Sequence, residues 1–280
     1  MGVFGQEKAW ISGSVEWDAL RINAAVSFNL AKAGLKLPSG RIQGESLLKL
    51  NYLHLIEPCI LDLQVDSTTT IADLVNSGEF TFLEVEAIAN RANLSPPALS
   101  PDMKNITTSV TIPFSVISSA LLRHSRSSYI LRTLTPVSTA RYTGIIVIAL
   151  DELPVYGMKS TAMPVPCLFP KIWDSDMNLI YERNMLEPEF DGTMVRYSSA
   201  QNIFQKNPSG LSEDLQKTVG DRPLRIFARG VFGIKPTDLI IEKSDALVII
   251  SSEENRRLLS QGKVVFIFDE SVLRQEFSGE

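Results

Sequence analysis

The side chains that most often perform chemistry are scattered along this 280-residue sequence and do not fall at the spacings that known reactions require. The two histidines, His54 and His124, lie in no His-Glu-x-x-His motif and have no Cys or His at metal-ligand spacing. No Gly-x-Ser-x-Gly turn is present to expose a nucleophilic serine, so a Ser-His-Asp hydrolase has no support. We therefore predict no catalytic residue, and we expect that the protein is not an enzyme.

One acidic segment imitates the start of a calcium-binding loop. Asp174, Asp176 and Asn178 have the spacing of the first three ligands. However, Leu179 occupies the position that requires glycine, and Met185 occupies that of the bidentate glutamate. Because polar residues between two strands also form a turn, we interpret this segment as a turn and predict no metal site.

A second segment superficially resembles a phosphate loop. Gly230, Gly233, Lys235 and Thr237 are the residue types expected, but their spacing is wrong. Pro236 also removes a backbone N–H that would have to face the phosphate. No Gly-x-Gly-x-x-Gly follows a strand, so a dinucleotide is unsupported as well, and we predict no cofactor.

The loop that leads into the strands of the second half is rich in methionine, proline and aromatic residues. This composition is typical of an adaptable binding surface, but it also suits a loop that packs over its own core. The sequence leaves both interpretations open. The residues concerned are Met158, Met163, Pro164, Pro166, Phe169 and Trp173.

The two cysteines are far apart in sequence and form neither a disulfide framework nor a metal cluster. Cys59 follows the helical spacing of Leu48, Tyr52 and Leu55, so we expect its sulfur in the core of the first half. Cys167 follows Pro166 at the edge of a strand in the second half. Residues of separate cores seldom meet the distance that a disulfide needs, and we predict that the two are not joined.

Composition excludes several functional classes. The formal net charge is −5 and the pI is about 5.3, whereas nucleic-acid binding depends on basic patches that neutralise phosphates. The densest basic stretch, Arg123 to Arg132 around Tyr129, reads as a solvated helix end and loop. No apolar run approaches the roughly 20 residues of a membrane-spanning helix. We therefore expect a soluble protein without a nucleic-acid partner.

The pattern of apolar residues predicts an α+β fold. The first half reads β-β-α-α-β-α, and the polar segment 125–141 marks a boundary. We predict two packed subdomains, residues 1–135 and 136–280, each with a small mixed or antiparallel sheet whose helices lie mainly on one face. The predicted strands are 10–17, 21–29, 106–114, 143–149, 168–173, 179–182, 224–228, 239–241 and 264–268. The predicted helices begin near 41, 71, 82, 115 and 244, and the last breaks at 251–252 before it resumes to 260.

Several of these strand-and-turn patterns resemble a group of bacterial cell-envelope proteins of unassigned activity. That group is related in pattern to flagellum-associated outer-membrane lipoproteins. The resemblance implies a structural or protein-interaction role in the periplasm or cell envelope, associated with motility, and supplies no catalytic residue. No Cys lies near the N-terminus to accept a lipid. The matching segments are 41–45, 142–149, 168–174, 223–228, 237–241, 244–246 and 263–267.

The first residues add a separate sign of export. Val3 and Gly5, followed by Gln6, fit the last residues before a signal-peptidase cleavage site, although no apolar region precedes them. We therefore expect a location in the periplasm or cell envelope, with the cytoplasm as the alternative, and a protein partner or homo-oligomer. The rival function is a small-molecule-binding protein or enzyme that acts in a cleft between the subdomains. A cleft with perturbed titratable groups would favour the rival, and an exposed apolar patch near 153–173 would favour interaction.

Overall fold

The structure is a computed structural model that describes residues 8–188 and 190–279. The strands are β1 (Ala9–Glu16), β2 (Arg21–Asn29), β3 (Asn93–Leu94), β4 (Ala98–Leu99), β5 (Asn105–Pro113), β6 (Ile145–Ala149), β7 (Leu153–Pro154), β8 (Thr161–Ala162), β9 (Ile172–Asp174), β10 (Leu179–Tyr181), β11 (Arg196–Ser199), β12 (Leu224–Phe227), β13 (Gly230–Phe232), β14 (Asp238–Ile241), β15 (Val264–Phe268) and β16 (Arg274–Gly279). The α-helices are α1 (Gly40–Leu61), α2 (Ile71–Ser77), α3 (Phe82–Asn90), α4 (Phe114–Leu121), α5 (Glu213–Val219), α6 (Lys243–Ile250) and α7 (Glu253–Ser260). The expected cleavage site at Gln6 lies outside the described residues.

The first half is built on an antiparallel sheet with the strand order β16-β1-β2-β5-β3, and β4 also pairs with β5. Along β5, Ile106, Val110 and Ile112 alternate with polar residues, which is the pattern of a sheet with one buried face. Helix α1 packs over β1, β2 and β5 on that buried face. The opposite face carries small polar side chains; Ser27 and Thr107, for example, share a hydrogen bond of 2.8 Å.

Helix α1 buries a stripe in which residues recur every fourth position. The buried members are Gly40, Gly44, Leu48, Tyr52, Ile56 and Ile60. This spacing places them on one face of the helix, toward the sheet. The helix continues through Pro58, whose missing N–H leaves the carbonyl of His54 without its helical hydrogen bond.

The second half contains two four-stranded sheets. A parallel sheet has the order β11-β15-β6-β12, and its central strands β6 and β15 are buried along their whole length. A mixed sheet has the order β10-β9-β14-β13, and the hairpin β7-β8 extends from β13 through a bridge between Val155 and Val231. The prediction of a mixed or antiparallel sheet therefore describes only one of these two sheets. The other sheet is parallel, and both faces of its central strands are covered, as is usual for parallel sheets.

The two halves share one continuous hydrophobic core. Trp17, at the end of β1, contacts Phe114 with ring centroids 4.9 Å apart and contacts Tyr197 of β11 at 5.7 Å. Tyr197 in turn packs on Phe266 and Phe268 of β15. The chain also returns across the halves, because β16 follows the parallel sheet in sequence but pairs with β1 in the antiparallel sheet.

The α+β fold of two packed subdomains is confirmed. The boundary at residue 135 stays a prediction. Residues 122–144 between α4 and β6 form neither helix nor strand, and the buried Asn255 of α7 holds this segment by accepting a hydrogen bond from the Tyr142 amide and donating one to the Ala140 carbonyl. No helix within the described ranges combines the length and the hydropathy needed to cross a bilayer.

Candidate functional site

The acidic segment that imitates a calcium loop forms a hairpin turn between β9 and β10. Asp174 is buried, and its carboxylate accepts hydrogen bonds from the Asp176 amide at 2.9 Å and from the Asn178 amide and side chain at 2.8 Å. Asp176 instead pairs with Lys243 at 2.6 Å. The Asp174 carboxylate therefore stabilises the turn, and the Asp176 carboxylate forms an ion pair with α6. Among residues 8–188 and 190–279, no group of three or more His, Cys, Asp or Glu side chains is placed to hold a metal.

The segment that resembles a phosphate loop is the connection from β13 to β14. Gly233 has a φ of +111°, and a Cβ there would lie 2.3 Å from the Cβ of Ser67, so only glycine fits against that neighbouring loop. The Lys235 amide donates to the Ser67 carbonyl at 2.9 Å, and Thr237 is buried. The glycine and the threonine thus pack this connection against the first half.

One cleft is lined by residues of both halves, and it is small. Its volume is about 160 Å³, which is below the roughly 300 Å³ at which ligand pockets usually begin. Its wall includes His124, whose Nε2 lies 2.9 Å from the Leu186 carbonyl, and Arg123, which pairs with Glu84 of α3. Arg183 completes the basic side of this cleft.

In the second half, titratable groups with strongly raised pKa values lie in the closed interior. Burial raises the pKa of the Cys167 thiol and of the Tyr197 hydroxyl. Both side chains are buried, and the Tyr197 hydroxyl accepts from the Cys167 amide and donates to the Cys167 carbonyl. Burial also raises the pKa of the Asp238 carboxyl, although hydrogen bonds from Trp173 and Lys171 lower it. These groups therefore do not combine with the cleft into one site.

The two cysteines are unpaired in the described structure. Cys167 is fully buried, and Cys59 packs against the core of the first half as predicted but is only half-buried. Ile56 and Ile60 occupy the buried face of α1, and Cys59 lies beside that face, half-buried, with its thiol 3.8 Å from the Leu55 carbonyl. His54, on the same helix, is exposed.

His54, Leu55 and Cys59 line a groove of about 280 Å³ between α1 and β16. Its floor is apolar and includes Ile11, Val15 and Phe277, and the exposed Asp62 lies at the C-terminal end of the helix. Burial raises the pKa of the Cys59 thiol to about 12, and the Asp62 carboxylate acts in the same direction. We call this feature the α1–β16 groove.

The groove exists because α1 covers β1, β2 and β5 but leaves β16 at the margin. Val15 pairs with Gln275 and Gly13 with Phe277, so Gln275 and Phe277 share the sheet face that carries α1. Phe277 packs partly against the core while the rest of β16 is exposed. The result is a channel with a helix on one side and an edge strand on the other.

The outer edge of β16 is open. Within the described part of the chain, β16 pairs with β1 alone, so the backbone N–H and C=O groups on its other side have no strand partner. The opposite edge of the same sheet is different, since β3 and β4 are two residues long and Pro96-Pro97 separate them. Short strands and proline are usual means of protecting an edge, and β16 lacks both.

Sequence patterns missed this groove. β16 reads Arg-Gln-Glu-Phe-Ser-Gly, which has no apolar alternation, and its pairing partner lies at the other end of the chain. The apolar stripe of α1 was visible, but the position of its edge relative to β16 was not. The segment 153–173 divides between its two interpretations, because Met158 is 64% exposed whereas Pro164, Pro166 and Phe169 are buried.

Comparison with known proteins gives two matches, one in each half. Residues 8–120 match the family model described as the N-terminal domain of Treponema pallidum Tp0624, and residues 144–270 match the model of the second domain of the same protein. No curated protein matches the chain. β16 lies beyond both matched segments. The chain is therefore a two-domain bacterial protein similar, in the same order, to the N-terminal and second domains of Tp0624.

Proposed function

We propose that this protein is a non-enzymatic interaction protein of the bacterial periplasm or cell envelope, and that it binds an extended segment of a partner protein by adding it as a strand to β16. The single observation that carries the proposal is the open edge of β16 beside an apolar groove. Edge strands next to a helix-lined groove recur in peptide-binding domains because the strand supplies main-chain hydrogen bonds and the groove receives alternate side chains.

The groove also favours a particular partner chemistry. Its apolar floor, with Ile11, Val15 and Phe277, suits an aliphatic or aromatic side chain. Its polar groups are mainly acceptors, because the His54 carbonyl lacks its helical donor and the helix ends at the exposed Asp62. An extended segment with an apolar residue and a nearby Lys or Arg would satisfy both requirements.

Peptide selection tests this proposal. A random peptide library displayed on phage is selected against the whole chain, and bound peptides are then measured against two variants. In Cys59→Trp the indole would fill the groove, so we expect at least a tenfold loss of affinity. The control Phe204→Trp alters a 72%-exposed position of the second half that does not line the groove, and it should bind normally. Peptides that bind Cys59→Trp as tightly as the native protein would exclude the groove.

A pair of proline variants tests strand addition itself. Successive N–H groups of a strand point to opposite sides, so of Gln275→Pro and Glu276→Pro one removes a donor to β1 and the other removes a donor at the open edge. The open-edge variant should keep the thermal stability of the native protein closely and lose peptide binding. If that stable variant binds the selected peptides normally, the peptides do not extend the sheet.

The envelope location is part of the same proposal. It is supported by the resemblance to cell-envelope proteins and by the cleavage-site pattern at Val3, Gly5 and Gln6. An association with motility is supported only by the relation of those proteins to flagellum-associated lipoproteins. Fractionation of the native bacterium, followed by N-terminal sequencing of the protein, is the test. We expect release with the periplasm and a mature start at or near Gln6, and an intact Met1 in the cytoplasmic fraction would contradict this location.

A further inference from the structure

Two turns of the second half lie side by side and present apolar side chains to solvent. The turn of hairpin β7-β8 carries Tyr156 and Met158, and the β13–β14 connection carries Ile234, which are 52%, 64% and 80% exposed. Val155 and Val231 form a parallel bridge, and the Tyr156 amide donates to the Val231 carbonyl at 2.9 Å. Because the two segments of the chain run in the same direction at this bridge, both turns emerge at the same end of the mixed sheet.

A row of aromatic rings supports these turns. Phe232 has edge-to-face contacts with Tyr156 at 6.1 Å and with Trp173 at 5.8 Å between ring centroids. The Trp173 indole N–H donates to the buried Asp238 carboxylate at 3.2 Å, which anchors the row in the mixed sheet. The exposed side chains therefore project from a packed base.

Each turn also carries an exposed lysine. Lys159 follows Met158, and Lys235 follows Ile234. No ion pair between residues that the structure describes engages either one. Lys171 adds a third positive charge above the Trp173 ring at 5.9 Å. We call the set Tyr156, Met158, Lys159, Ile234 and Lys235 the twin-turn surface.

Two carboxylates near this surface accept hydrogen bonds at its base. Glu152 accepts a hydrogen bond from Thr161 in β8 at 2.6 Å. Asp66, in the loop that contacts the β13–β14 connection, accepts three hydrogen bonds from Thr68 and Thr69 in its own turn. A chain of net charge −5 thus presents two exposed lysines beside its apolar tips.

We propose that the twin-turn surface docks the protein onto a phospholipid bilayer that carries anionic headgroups. Met158 and Ile234 enter the interfacial region, Tyr156 stays at headgroup level with its hydroxyl in water, and Lys159 and Lys235 contact the lipid phosphates. Three exposed side chains on two turns offer far less than the roughly 800 Å² per partner of a stable protein interface. Small apolar side chains with adjoining lysines suit a bilayer, because each side chain can insert into the lipid without a continuous complementary surface. This docking is independent of the α1–β16 groove.

Vesicle binding by the whole chain tests the proposal. Sedimentation with mixed vesicles of phosphatidylcholine and phosphatidylglycerol should show binding that weakens at high salt, and pure phosphatidylcholine should bind much less. Changing Lys159 or Lys235 to Gln should lower the partition coefficient about fivefold each. The double variant Met158→Asp/Ile234→Asp should lower it at least about tenfold, because apolar burial is lost and the added carboxylates are repelled.

Two controls make the result decisive. Leu83→Asp places a carboxylate at an exposed apolar residue outside the twin-turn surface and should bind vesicles like the native protein. Circular dichroism establishes that each variant is folded. Native protein that does not bind anionic vesicles, or that binds them equally well with both tips changed to Asp, would overturn the proposal. So would a concentration-dependent dimer that the double variant abolishes, since the surface would then serve a second copy of the chain.

Discussion

Cys59 and Cys167 show how strongly the environment of one residue type decides its chemistry. Cys167 is fully buried and is held beside Tyr197, whereas Cys59 lines the open α1–β16 groove. The difference provides a reporter for the groove that requires no engineered label. It also refines the sequence interpretation, because Cys59 packs against the core as its helical spacing predicted but lies at the margin of the buried stripe and is half-buried.

We predict that a small thiol reagent modifies Cys59 alone in the folded protein. Because the pKa of the Cys59 thiol is about 12, the reaction is slow at neutral pH and accelerates about tenfold per pH unit as the thiolate fraction rises. Intact-mass measurement after treatment with methyl methanethiosulfonate should show one adduct, and Cys59→Ser should show none. Two adducts before unfolding would mean that Cys167 is accessible.

Asp238 should make its own contribution to the pH dependence of stability. Its pKa is raised in the folded protein, so between the ordinary value of 3.8 and the raised one the folded state binds more protons than the unfolded state. Its contribution is therefore most favourable below that window and is lost as pH rises through it. The stability of the native protein relative to Asp238→Asn should grow as pH falls from neutral, measured by urea unfolding; a difference that is constant with pH would contradict this.

At the scale of elements, α2 and α3 begin with matching caps. Thr70 and Thr81 each accept a hydrogen bond from the backbone of the third helical residue, Asp73 or Glu84, whose carboxylate in turn accepts from the threonine amide. This capping box explains why both helices begin where they do. The sequence alone does not select Thr70, because every residue from Asp66 to Thr70 is of a type that can cap a helix.

We predict that Thr81→Ala lowers the free energy of unfolding by about 1 kcal/mol, because the Glu84 amide loses its acceptor. Thr81→Ser keeps the hydroxyl and should change stability by less than half of that. Denaturant unfolding of the three proteins provides the measurement. Equal losses in the two variants would show that the methyl group of Thr81, and not its hydroxyl, stabilises the start of α3.

Apolar periodicity predicted most elements because their burial is local in sequence. Strand β15 is buried along its length and was predicted at residues 264–268, and α6 and α7 were recognised with the break between them. Elements that are short or polar were missed, namely α5 and the strands β3, β4, β7, β8, β11, β13 and β16. The strand predicted at 168–173 was also wrong in its bounds, since β9 covers only Ile172–Asp174. The groove was missed because it requires residues near positions 11, 59 and 277 to meet in space.

At the scale of the whole molecule, Trp17 is the main aromatic link between the halves. It is 1% exposed and bridges Phe114 to Tyr197, which leads into the core under the parallel sheet. Its indole N–H has no hydrogen-bond partner in the described structure, so Trp17 stabilises the fold through packing. We therefore expect the two matched domain segments to unfold together.

We predict that Trp17→Ala lowers the free energy of unfolding by about 3–5 kcal/mol and divides a single thermal transition into two. The cavity would remove the contacts to Phe114 and Tyr197 together. Trp17→Phe retains a ring, leaves no unsatisfied N–H, and should lose less stability while unfolding in one step. Calorimetry distinguishes these cases. A single transition in Trp17→Ala would show that other contacts suffice to couple the halves.

The pairing of β1 with β16 has a mechanical consequence. These strands are antiparallel neighbours with Ile11 opposite Gly279, so the start of one and the end of the other lie at the same end of the ladder. A tensile load applied through these two ends would open the pair one hydrogen-bonded rung at a time, as a zipper opens, and would not shear all the rungs together. Because β16 is mostly exposed, peeling it away would cost little apolar burial. The strand could yield under tension and re-form on release while the aromatic core remains closed.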